Sequence, residues 1–212
     1  VAEGSASYLN SGSGDDQIEI RGTSAKNTSI DGGAGKDSLR MKLDVRSATN
    51  AINYYIYRYD GNYNNSFNAY SDGYSLSAIT NMADAYTMYH GNVVNGSQDY
   101  TQVISVEQYA VDLIGSQAAD LLIYQNGSVY DGQGGQDTFV ANLQNSTAAV
   151  TVENKTGSSF TFNGATVSNV ERLVLTTGSG ADVISNQYDN VSDHIQTGQG
   201  NDRISLTGAA GG

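Results

Sequence analysis

The chain has 212 residues and a formal charge of −12, with 22 acidic residues against 10 basic ones, 25 Gly and neither Pro nor Cys. A surface this negative excludes nucleic acid and anionic membrane as partners. The absence of cysteine excludes a disulfide framework and a thiolate zinc site. No apolar run approaches a transmembrane span, so membrane insertion is not expected.

Of the acids, 17 are Asp and 5 are Glu. A surplus of Asp beside Gly, Asn and Ser suggests turns and cation ligands rather than acidic helices, and the expected counter-charge is a metal ion. The N-terminus shows no basic region followed by an apolar one. The chain reads as a monomeric piece of a longer protein whose address signal lies outside it.

The first patterned stretch is Ser11-Gly-Ser-Gly-Asp-Asp-Gln-Ile-Glu19, with Gly12, Gly14, Asp16 and Ile18 as its fixed points. Gly32-Gly-Ala-Gly-Lys-Asp-Ser-Leu-Arg40 repeats it with Gly33, Gly35, Asp37 and Leu39 in register. Asp16 and Asp37 are 21 positions apart, and the residues between them suit a strand, a turn and a return strand.

Residues 44–105 break the rhythm. They hold most of the tyrosines, mixed with Asn, Asp and Gly. Asn53-Tyr-Tyr-Ile-Tyr-Arg-Tyr59 predicts a strand with a turn at Asp60-Gly-Asn62, and the apolar spacing from Leu76 to Tyr89 predicts a helix stopped at Gly91.

The β pattern returns from Thr101. Val103–Val111 and Val167–Leu175 are alike, each carrying Val-Glu inside an alternating strand that leads to a Gly/Asp loop. Two weaker motif copies follow the first of these. Gly115-Ser-Gln-Ala-Ala-Asp-Leu-Leu-Ile123 keeps Gly115, Asp120 and Leu122, and Gly132-Gln-Gly-Gly-Gln-Asp-Thr-Phe-Val140 keeps Asp137 and Phe139, at an interval of 17. Ala148–Glu153 and Ser159–Phe162 are further strand candidates.

The clearest repeat closes the chain. Thr177-Gly-Ser-Gly-Ala-Asp-Val-Ile-Ser185 is answered by Thr197-Gly-Gln-Gly-Asn-Asp-Arg-Ile-Ser205, with Asp182 and Asp202 20 positions apart. Gly178, Gly180, Gly198 and Gly200 let the backbone take crowded dihedrals and turn its carbonyls to one side, and each Asp adds a carboxylate at the same rim. Carbonyl and carboxylate oxygens together suit a hard cation such as calcium. Asp15, Asp31 and Asp193 stand beside loops and read as solvated charges.

These stretches resemble the calcium-binding nonapeptide of RTX proteins, Gly-Gly-x-Gly-x-Asp-x-U-x. Residues 32–40 match it at every fixed position, and 11–19, 177–185 and 197–205 match at all but the first glycine. The resemblance implies an all-β, right-handed parallel β-roll or β-helix in which about eighteen residues make a turn. Intervals of 21, 17 and 20 then stack Asp16 on Asp37, Asp120 on Asp137 and Asp182 on Asp202, with calcium expected between them, mainly along one edge. Ordinary turns at Gln125-Asn-Gly127 and Tyr188-Asp-Asn190 close the other edge.

The expected organisation is one continuous domain: N-terminal rungs over 1–43, a Tyr-rich insertion packed on them over 44–105, and C-terminal rungs over 106–212. The resemblance further implies calcium-dependent folding outside the cell, type I secretion and a structural role within a larger secreted or surface protein. The alternative is a calcium-dependent adhesin whose Tyr-rich insertion binds a cell-surface glycan or protein; a third reading is the non-catalytic module of a secreted hydrolase or polysaccharide-modifying enzyme. His90 and His194 fall in no ligand or nucleophile-base spacing, and H-E-x-x-H, G-x-S-x-G and P-loop signatures are missing, so catalysis is not expected.

Overall fold

The computed structural model describes residues 8–22, 28–46, 53–58, 86–91, 99–104, 106, 108–189 and 191–207. These residues form an all-β structure of mostly parallel sheets, with no helix among them. None of them therefore forms a helix long and apolar enough to cross a membrane.

Most successive strands change sheet. In chain order they are β1 (Tyr8–Asn10), β2 (Gln17–Gly22), β3 (Thr28–Asp31), β4 (Ser38–Asp44), β5 (Asn53–Arg58), β6 (Tyr86–Gly91), β7 (Asp99–Ile104), β8 (Gln108–Ile114) and β9 (Leu121–Ile123). There follow β10 (Val129–Asp131), β11 (Thr138–Asn142), β12 (Thr151–Asn154), β13 (Ser159–Phe162), β14 (Ala165–Ser168), β15 (Arg172–Thr176), β16 (Val183–Asn186), β17 (His194–Gln196) and β18 (Arg203–Leu206). A long sheet runs β1-β3-β7-β6-β5-β9-β11-β15-β17, a second sheet β13-β14-β10-β8-β4-β2 and a third β12-β16-β18. Every strand of the long sheet points the same way except β6, which is antiparallel to both its neighbours.

Parallel in-register pairing stacks like on like. Ile18 lies beside Leu39 and Leu39 beside Tyr109; Ile20, Met41 and Val111 form the next column. In the long sheet Leu122, Phe139 and Leu173 align, and in the third sheet Val152, Ile184 and Ile204. The period-2 pattern puts these columns on one face of each strand, and the inward faces of the three sheets meet in one apolar cluster. Phe139 is fully buried at its centre, edge-on to Phe160 and Phe162.

Of the apolar positions that follow the motif loops, Ile18, Leu39, Leu122, Phe139 and Ile184 are buried, but Ile204 is 45% exposed. It lies on β18, the outer strand of the third sheet, with no further strand among the described residues to cover it.

The helix expected over Leu76–Tyr89 is corrected where it can be seen: Tyr86–Gly91 is a strand. Tyr86, Thr87 and Tyr89 suit a pleated ribbon, and β5 and β7 supply ladder partners on both sides. The rest of that segment, with the turn at Asp60-Gly-Asn62, lies outside the described residues. The expected strand at Asn53 is present as β5, and the strands of the Tyr-rich stretch lie within the long sheet, with β5 paired to β9 and β7 to β3.

Two inward-facing asparagines interrupt the apolar columns. Asn154 and Asn186 are paired in register and both are buried. Asn154 Nδ2 donates to the Val170 carbonyl at 2.7 Å and to Asn186 Oδ1 at 3.1 Å, while Asn186 Nδ2 donates to the Glu171 carbonyl at 2.8 Å. Truncation would leave a buried carbonyl unsatisfied, so Asn186→Ala should lower unfolding free energy by about 2 kcal/mol, measurable by urea denaturation.

Candidate metal centre

The motif loops sit where the chain passes from one sheet to another, and equivalent loops stack directly. Loop 11–16 follows β1 and loop 32–37 follows β3; the Asp16 N–H donates to Asp37 Oδ1 at 2.8 Å. Loop 115–120 precedes β9 and loop 132–137 precedes β11; the Asp120 N–H donates to Asp137 Oδ1 at 2.7 Å. Loops 177–182 and 197–202 follow β15 and β17; the Asp182 N–H donates to Asp202 Oδ1 at 2.9 Å. All three pairs use the same contact, in which the aspartate of one loop caps the main chain of the aspartate before it.

Strand direction places these pairs and corrects one expectation. Asp16, Asp37, Asp182 and Asp202 lie on connections leaving the C-terminal ends of long-sheet strands. Asp120 and Asp137 lie on connections entering the N-terminal ends of such strands. The loops therefore do not share one edge. Intervals near one turn bring partners together, but the motif moves from the connections that leave long-sheet strands, after β1 and β3, to those that enter them, before β9 and β11, and back again after β15 and β17.

Glycine is required at these positions by close approach. Gly33, at φ +84°, would place a Cβ 1.8 Å from the Gly12 carbonyl oxygen, and Gly35 one 2.2 Å from that of Gly14. The last pair repeats this, with Gly198 against the Gly178 carbonyl at 2.1 Å and Gly200 against that of Gly180 at 2.2 Å. Within each of these pairs, carbonyl oxygens of the earlier loop are thus turned toward the later one.

The carboxylates differ in what surrounds them. Asp120 is held within its own loop by Ser116, whose N–H and Oγ donate at 2.6 and 2.8 Å. Asp182 accepts the Val150 N–H at 2.7 Å and the Thr177 hydroxyl. Asp16 Oδ2 and Asp137 Oδ2 are buried with no hydrogen-bond partner. A buried carboxylate oxygen without a donor is a group that a hard cation would satisfy. Among the described residues no three carboxylate, imidazole or thiol side chains converge, so a cation held here would need main-chain carbonyls as further ligands.

Asp137 is fully buried, and burial pushes its carboxyl up to about 8; the charges of Asp120, Glu171 and Asp131 push the same way, against the Asp120 N–H. Without a cation the folded chain holds this proton until about pH 8, whereas the unfolded chain releases it near 3.8. The folded state then binds more protons across that window, so its stability falls as pH rises.

Sequence reasoning missed two features. Glu171 continues the carboxylate stack, its Oε2 accepting the Asp137 N–H at 2.8 Å. Asp193, read as a solvated charge, accepts the Leu173 N–H at 2.8 Å and is a further member. The available signal was the Val-Glu repeat, which marks Glu171 in advance. Asp15 and Asp31 likewise bond to the loops beside them, taking the Lys36 N–H at 2.9 Å and the Gly33 N–H at 3.0 Å. His194 begins β17 and is exposed, its ring 3.2 Å from Gln196 Nε2, while His90 lies on β6.

Comparison with protein-family models, with curated proteins and with solved structures returned no match to this chain.

Proposed function

We propose that this chain is a calcium-binding β-roll module of the RTX type, folded by calcium outside the cell and serving as a structural, non-catalytic part of a larger secreted or surface protein. The observation that carries this reading is the stacking of three pairs of Gly/Asp loops, each joined by the same bond from the main chain of one aspartate to the carboxylate of the next. The buried carboxylate oxygen without a partner at Asp16 supports a cation in particular. The passage of most successive strands from one sheet to another supports the roll.

Calcium acts here as a folding cofactor. Clustered carboxylates repel one another when no cation lies between them, and Gly-rich loops lose more conformational entropy on ordering than other segments. Bound oxygen by oxygen, the ion neutralises the first cost and offsets the second. The ligands are Asp16 and Asp37 with Gly12, Gly14, Gly33 and Gly35; Asp120 with Asp137; and Asp182 and Asp202 with Gly178, Gly180, Gly198 and Gly200. Type I secretion follows from the same chemistry, since a chain loose at cytosolic calcium passes a channel and compacts outside.

Far-ultraviolet circular dichroism in chelator and then in millimolar calcium tests this. A gain of β signal on adding calcium is expected, and identical spectra would refute the reading.

A further inference from the structure

We propose that Asp137 and Glu171 hold a calcium ion between loop 132–137 and the turn 169–171, a site separate from the three paired Gly/Asp loops. This rests on the calcium reading of those loops but places an ion where the second loop carries no Gly-x-Gly-x-Asp motif.

Asp137 has one oxygen occupied and one not. Oδ1 takes the Asp120 N–H at 2.7 Å, so it faces the preceding loop. Oδ2 is buried without a hydrogen-bond partner. Gly132 reports where Oδ2 lies: a Cβ on that glycine would stand 2.4 Å from Asp137 Oδ2 and 2.1 Å from the Asn169 carbonyl oxygen. Asp137 Oδ2 and the Asn169 carbonyl oxygen therefore both border Gly132, close to each other and on the side of Asp137 that faces the turn. Such a pair is unfavourable in a buried place unless a cation or proton joins it.

The turn is built to hold its oxygens still. Asn169 takes a left-handed conformation at φ 50°, and its Nδ2 donates to Asp131 Oδ1 at 2.7 Å. Asn154 and Asn186 bind the carbonyls of Val170 and Glu171. The N–H groups of Glu171 and Arg172 both donate to the Asp137 carbonyl, at 3.1 and 2.9 Å. Glu171 Oε2 reaches back to the Asp137 N–H, which brings a second carboxylate to the same junction, with Asp131 adding a third negative charge nearby. The ligand chemistry is all oxygen, which selects calcium over softer metals.

The Val-Glu repeat acquires a meaning here. Gln108 donates its N–H to the Asp37 carbonyl at 3.1 Å, the register that Arg172 has on Asp137. In both blocks the residue that follows Val-Glu in sequence thus bonds to the second of two stacked Gly/Asp loops.

Glu171→Gln keeps an acceptor for the Asp137 N–H while removing the charge. Equilibrium dialysis against calcium should count one ion fewer for this variant than for the wild type, with the remaining ions bound as before. An equal count at unchanged affinity would overturn the inference and leave the paired-loop reading standing, whereas a wild type that takes up no calcium would overturn both. Should the variant not fold, wild-type crystals grown in calcium decide the matter. An anomalous peak within ligating reach of Asp137 Oδ2 and the Asn169 carbonyl is expected; peaks at the paired loops with none here would refute the site.

Discussion

Removing calcium should cost this protein about 4 kcal/mol of unfolding free energy and lower its melting temperature by roughly 8–16 °C. The magnitude follows from mass action. Extracellular calcium modules bind with Kd of about 10⁻⁴ to 10⁻³ M, and at tenfold excess each ion stabilises the folded state by about 1.4 kcal/mol. Three paired loops therefore contribute about 4 kcal/mol, which is comparable to the whole stability of a small domain. Thermal melts at a series of free calcium concentrations check this. The midpoint should climb with the logarithm of calcium and stay unresponsive to sodium at matched ionic strength.

Gly33→Ala should destabilise the chain by about 2–5 kcal/mol, whereas Gly12→Ala should cost only about 1–2 kcal/mol. Both glycines have positive φ, at +84° and +100°, so an alanine is strained at either. That strain amounts to about 1–2 kcal/mol. The difference lies in space. A methyl group on Gly33 meets the Gly12 carbonyl oxygen at 1.8 Å, while one on Gly12 meets nothing within 4 Å. Overpacking against main chain adds about 1–3 kcal/mol and pushes the two loops apart, so Gly33→Ala should also weaken calcium binding at Asp16 and Asp37. Urea melts of the two variants, each with and without calcium, separate backbone strain from the loss of loop stacking. Equal losses would mean that the close approach of the loops carries no energy.

Much of the arrangement was legible because parallel in-register stacking repeats the same residue at each level. Ile18 and Leu39, read two positions beyond their Asp, are adjacent in the second sheet, and Asp182 and Asp202 are joined across two strands of the long sheet's far end. Interval alone could not reveal which end of the strands a loop occupies. That depends on whether a loop leaves or enters a long-sheet strand, which the motif does not encode. The helix read from Leu76 to Tyr89 failed over Tyr86–Tyr89 because apolar spacing there also fits a strand, and pairing to β5 and β7 decided between the two. Asn154 and Asn186 resemble turn residues in sequence; only their register against each other and against the 169–171 turn turns them into a buried hydrogen-bonded column. Glu171 was hidden for a related reason, since its partner Asp137 is 34 positions away and outside any motif interval.

Isothermal titration of calcium into the purified chain, from chelator-treated protein, tests the central claim most directly. The account predicts saturable uptake of at least three ions per chain, one for each joined pair of loops, persisting in equimolar magnesium because the smaller ion holds its waters and demands octahedral geometry. A flat titration at millimolar calcium, with the chain already folded in chelator, would contradict it.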